Sequence, residues 1–226
     1  MPRSKRPWAA VAAALILALA AGATAGAAPQ KKAPPRKKET KVAKPRDYAK
    51  TLAVLKTSQG EMTIRFFADK APGHVKNFVD LAEKGAYDGT LFHRVIPDFM
   101  IQGGDPLTKD PNVPPVRYGT GGATDSKGTP LNVKQEFNDV SHKRGIVSMA
   151  RAADPDSASS QFFVVVKDSP FLDRQYTVFG EVVKGMEIAD KIVTESNPDL
   201  ADRSGGRPRA YQKIVKVELV DEGAAK

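Results

Sequence analysis

The 226 residues, 41% hydrophobic and 27% charged, fall in the globular range and suffice for one well-buried core. The formal net charge of +9 is local: residues 31–46 hold eight basic groups and one acid, whereas residues 47–226 hold 24 basic groups against 25 acidic ones. No cysteine is present, which excludes a disulfide framework, and no aromatic side chain is interleaved with the basic tract, so no nucleic-acid partner is expected.

In chain order, Arg3, Lys5 and Arg6 precede an apolar run that starts at Trp8, reaches about Ala21 and gives way to small residues. This is the layout of a secretory signal peptide, assigned to 1–27, with cleavage options after Ala25 and Ala27. The apolar run is shorter than the ~20 residues a helix needs to span a bilayer, so no stable membrane insertion is expected after cleavage. Residues 28–49 are rich in Lys and Pro and poor in large apolar groups, which predicts a disordered linker. A globular domain is assigned to 50–222 and a short tail to 223–226.

Within the domain, Leu52 and Val54, then Met62, Ile64 and Phe66, alternate on either side of Ser58-Gln59-Gly60 and predict a hairpin. Pro72 opens an amphipathic helix whose Val75, Phe78, Val79, Leu81 and Ala82 recur at helical spacing before Gly85. Strand-length apolar runs follow at 91–95, 99–102, 145–150, 161–166 and 177–182, separated by Gly, Pro, Asp and Asn. A second helix is predicted over 186–195, and a last strand has Val215, Val217 and Leu219 alternating with Lys216 and Glu218. Strands without a strand-helix-strand rhythm predict a mainly β fold, a closed antiparallel barrel capped by two α-helices. Residues 106–135 and 197–210, rich in Pro, Gly and polar groups, read as long surface loops.

Hydrolytic and metal chemistry find no support in the pattern. His74, His93 and His142 lack metal-ligand spacing, and Ser159-Ser160 lacks a nucleophile elbow. What stands out is apolar and aromatic residues crowded around single polar groups at 92–105 and 160–163, although alternation alone does not say which of them face a common cleft.

Five segments in order, FHRVIPDFMIQGGD (92–105), GIVSMAR (145–151), SQFFVVV (160–166), FLD (171–173) and VFGEVVKGMEIADKI (178–192), resemble the successive motifs of the cyclophilin family over 53–220. The resemblance implies an eight-stranded barrel with two capping helices, a groove on its outer face, and peptidyl-prolyl cis-trans isomerase activity without metal or cofactor. It implies Arg94, Gln102 and Phe99 as catalytic residues. Met100, Ala150, Arg151, Gln161, Phe163, Phe171, Leu172 and Tyr176 are the implied substrate-binding residues, with the proline pocket on Phe99, Met100, Phe163 and Leu172.

The implied partners are proline-containing segments of unfolded or exported proteins, met by a monomer in the periplasm or outside the cell. Four departures from the family pattern bear on selectivity. Arg151 stands where Asn is usual, and Tyr176 where His is usual. Phe171 stands where Trp is frequent, which implies weak cyclosporin binding. The stretch after Gly104-Asp105 is longer than in relatives and contains Pro106, Pro111, Pro114 and Pro115.

Overall fold

A computed structural model describes residues 46–199 and 205–223. The signal peptide assigned to 1–27 lies outside the described residues, as do the linker up to 45, residues 200–204 and the tail beyond Gly223. Order begins slightly earlier than the sequence suggested. Arg46 pairs with Glu83 at 3.1 Å, and the Asp47 carboxylate accepts from Ala49 N to cap a 3-10 turn at Tyr48–Lys50, so 46–49 belong to the domain and not to the linker.

Strands β1 (Thr51–Thr57) and β2 (Gly60–Phe66) form the expected hairpin, with Thr57 opposite Gly60. That two-residue connection fixes the register, and with it the phase of burial. Met62 and Ile64 face the core, so their partners Leu55 and Ala53 do too, and all four are fully buried. Sequence alternation had favoured Leu52 and Val54; Val54 is only half-buried.

Helix α1 (Pro72–Glu83) buries the apolar stripe read from the sequence, plus His74. Its N-cap, Ala71, has no side chain to satisfy the first amides. Glu136 does so from a distant loop, accepting from Gly73 N and His74 N, each at 2.9 Å. The aromatic centre of the core forms around Phe78, whose ring lies 4.7 Å from Tyr87 and 5.4 Å from both Phe162 and Phe179.

Then follow β3 (Leu91–Phe92), β4 (Arg94–Ile96), β5 (Met100–Gly103), β6 (Ile146–Met149), β7 (Phe162–Val165), β8 (Val178–Lys184), α2 (Met186–Ser196) and β9 (Gln212–Asp221). The strands make one antiparallel sheet in the order β3-β9-β1-β2-β8-β6-β7-β5-β4. Its two edges, β3 and β4, are consecutive in the chain and separated only by His93, so a covalent link brings the edges together in a nearly closed barrel. Nine strands appear where eight were expected, because one run bends at His93. Its first half pairs with β9 and its second with β5.

The last strand also departs from simple alternation. Lys56 pairs with Lys216 but Thr57 pairs with Ile214, leaving Val215 in a bulge. The bulge turns Val215 outward, 53% exposed, while Ile214 and Val217 point inward on either side. Helix α2 starts after Gly185 (φ 86°), where a Cβ would strike the Glu61 carbonyl, so the helix entry packs backbone to backbone against β2.

Candidate active site

On the outer face of β4, β5 and β7, register aligns three side chains. Arg94 lies opposite Gln102, and Gln102 opposite Phe163. Period-two alternation then settles what sequence left open. Ile101 and Phe162 point into the main core, while Met100 and Phe163 belong to a second apolar cluster with Leu172, packed by Phe99 and Tyr176.

Arg94, Gln102 and the members of this second cluster just named line one cleft of about 320 Å³, together with Ala150, Arg151 and His93. Gln161 lines an adjoining hollow instead, which shares Gln102, Ala150 and Arg151 with the cleft. Phe171 lines neither among the described residues; it stands at the rim, 63% exposed, with its ring 5.4 Å from Phe99.

The polar side of the cleft is a directional relay. Arg94 Nη1 approaches Gln102 Oε1 at 3.5 Å, Gln102 Nε2 donates to Gln161 Oε1 at 2.9 Å, and Gln161 Nε2 donates to the carbonyls of Gly119 and Gly121. Each amide is thereby fixed in orientation by the next. The loop at the far end is itself anchored by buried Asp105, whose carboxylate accepts from Leu107 N, Gly119 N and Gly121 N. Burial lowers the Arg94 pKa from its ordinary value, and a guanidinium stays charged across any working pH. Asp98, next to the cleft residue Phe99, faces Lys167 at 3.4 Å.

Behind the apolar wall, the His142 ring stacks on Phe163 with centroids 6.1 Å apart. His142 Nδ1 meets Asp173 at 2.9 Å and Nε2 meets Ser148 at 3.1 Å, while Ser148 donates to the Thr177 carbonyl. This looks like a hydrolytic triad by composition, but Ser148 and His142 are fully buried and no substrate carbonyl can reach the hydroxyl. Burial pushes the His142 pKa down, with Asp173 pulling the other way.

Sequence reasoning missed part of the wall. Pro115, Val116, Tyr118, Gly119 and Thr120, from the segment after Asp105, line the cleft, as does Arg207 from the stretch 197–210. The Tyr118 and Tyr211 rings meet edge to face at 5.7 Å, tying the two loops together. The excess prolines after Asp105 were the available signal, but spacing could not say where the loop returns.

The described residues thus form an apolar cleft walled by Phe99, Met100, Phe163 and Leu172, with the Arg94 guanidinium beside it. The family profile "Cyclophilin type peptidyl-prolyl cis-trans isomerase/CLD" matches residues 52–219. The chain is 46% identical to "Peptidyl-prolyl cis-trans isomerase A" of Dickeya dadantii over 148 residues, 63% of this chain and 70% of the relative. It is 39% identical to a "Probable peptidyl-prolyl cis-trans isomerase" of Brucella abortus over 168 residues, 74% of this chain and 81% of the relative.

Among solved structures it is similar to a cyclophilin type peptidyl-prolyl cis-trans isomerase of Cryptosporidium parvum crystallised with the dipeptide Ala-Pro. The TM-score is 0.63 and the identity 28%, over 75% of this chain and 99% of that one. The chain therefore belongs to the cyclophilin-type peptidyl-prolyl cis-trans isomerases. Its activity is the interconversion of cis and trans X–Pro peptide bonds.

Proposed function

We propose that Arg94 carries the catalysis by donating a hydrogen bond to the proline nitrogen as the X–Pro bond twists. The planar amide resists rotation by about 18–20 kcal/mol because the nitrogen lone pair is delocalised into the carbonyl. At the twisted transition state the lone pair is localised on nitrogen, and a donor aimed there bonds it better than either planar ground state. Phe99, Met100, Phe163 and Leu172 hold the ring, while Gln102 and the backbone at Ala150-Arg151 hold the flanking peptide so that one side turns against the other.

The observation that supports this reading is the relay from Gln102 through Gln161 to the loop carbonyls, with the Arg94 guanidinium 3.5 Å from Gln102 Oε1 beside the apolar cleft. A protease-coupled assay on a proline peptide tests it. Arg94→Ala is expected to lose about 10² to 10³ in kcat/KM, the size of one preorganised donor. A variant as fast as wild type would sink the reading.

The physiological substrates proposed are X–Pro bonds of exported proteins, where uncatalysed isomerisation takes roughly 10–100 s and limits folding. The supporting feature is the basic, apolar, small-residue order of the first 27 residues. Fractionation with N-terminal sequencing is expected to find a periplasmic monomer beginning near Gly26 to Ala28; a cytoplasmic chain retaining Met1 would contradict it. Phe171 in place of the larger indole predicts weak inhibition by cyclosporin.

A further inference from the structure

Among the described residues, the charged side chains that line the site are all arginines. Arg94, Arg151 and Arg207 line the proline cleft, Arg151 also lines the adjoining hollow, and no aspartate or glutamate is among the described residues that line either. Arg151 therefore stands at the junction of the cleft and the hollow.

Its guanidinium is held firmly yet not neutralised. The carbon at its centre lies 4.8 Å from the Tyr176 ring centroid and 6.0 Å from that of Phe137. Nε donates to the Gln175 carbonyl at 3.0 Å, and Nη1 donates to the carbonyls of Ala152 and Ala153 at 2.8 and 3.1 Å. Every one of these partners is a ring or a neutral carbonyl, and Nη2 has no hydrogen-bond partner among the described residues. The acids next along the chain are turned elsewhere: Asp154 accepts from Asp156 N, and Asp156 from Gln135 N. A brace for the surrounding loop would need only the Nε and Nη1 bonds. The unspent donor and the uncompensated charge are what a carboxylate would use.

We propose that Arg151 is a specificity-determining residue that reads a carboxylate on the peptide, so that X–Pro segments with Asp or Glu close to the proline are the preferred substrates. This rests on the isomerase reading and adds to it a substrate class. The Tyr176 ring links the two functions, since it lies under Arg151 and makes an edge contact with Phe163 at 5.7 Å in the proline pocket.

The test uses peptides identical except for Glu, Gln or Lys placed two residues before the proline or one residue after it. Exchange between isomers is followed by NMR, and affinity by chemical-shift titration. At low ionic strength the Glu peptide is expected to exceed its Gln counterpart by about fivefold at one of the two positions, with Lys worst, as for a single partly exposed ion pair. The ratio should shrink toward one at about 0.5 M salt. Arg151→Gln should erase the ratio, and Arg151→Glu should reverse the order so that Lys leads, a reversal that a purely structural role would not produce.

Equal handling of Glu and Gln by the wild type at both positions would overturn the proposal, as would an order unchanged in Arg151→Glu. Absence of exchange on every peptide would count against the isomerase reading alone, because the order of affinities would still decide the role of Arg151.

Discussion

The cleft has two halves built by different means. Arg94, Gln102, Met100 and Phe163 sit on paired strands, so ladder register sets their spacing. Another part of the wall, from Pro115–Thr120, Ala150-Arg151 and Arg207, stands on loops and at a strand end, where clasps help to position it, among them the Asp105 carboxylate, Gln161 and the Tyr118–Tyr211 contact. The contrast teaches a division of labour. Side chains on the stiff half keep the spacing that strand pairing sets, while loops tolerate more variation in length and sequence.

Disturbing the clasps should separate the halves. The largest effect is expected from Asp105→Ala, which removes a buried carboxylate that three backbone amides share. A loss of about 3 kcal/mol in urea unfolding is expected, with weaker peptide binding. Unchanged stability would mean that the loop is held by something other than this anchor.

Acid should act next, on the barrel side. Burial lowers the pKa values of His74, His93 and His142 below their ordinary 6.5, so the folded chain holds these rings neutral. As the pH falls through that value the unfolded chain takes up protons that the folded chain refuses. Stability from these groups is thus present above it and lost below. The thermal midpoint should fall between about pH 7 and about pH 5, and a midpoint rising over that window would contradict the account.

Gln161→Leu should be milder, because it cuts the relay without touching the apolar wall. About a tenfold fall in kcat/KM is expected, with the unfolding midpoint nearly unchanged, since the substitution loosens both the donor and the loop that Gln161 clasps. A change confined to KM would instead place Gln161 in substrate binding. Smallest of all, Phe171→Ala should cost less than about threefold in kcat/KM, because it removes only a rim contact with Phe99.

Much of the fold was readable from the residues, and the failures have a common physical origin. The hairpin at Ser58-Gln59, both helices and the strand-length runs follow from local periodicity. Which face is buried in β1 did not, although the two-residue connection implies that Leu55 opposes Met62. The bulge at Val215 and the bend at His93 arise from barrel closure, a non-local requirement that no window of sequence contains. The same holds for the site. Motif resemblance named Arg94, Phe99, Met100, Gln102 and Phe163, and the structure brings them together on one face. Pro115, Val116, Tyr118 and Arg207 were missed because loop return is fixed by tertiary clasps and not by pattern.

The central claim, that the strand-built half performs the rotation and the loop-built half selects the peptide, is tested most directly by measuring binding and exchange together on Arg94→Ala. Chemical-shift titration with a proline peptide should give a Kd within a few-fold of wild type, while NMR exchange between isomers in the complex falls by about 10² to 10³. Retention of full exchange in that variant, or loss of binding in proportion to exchange, would contradict it.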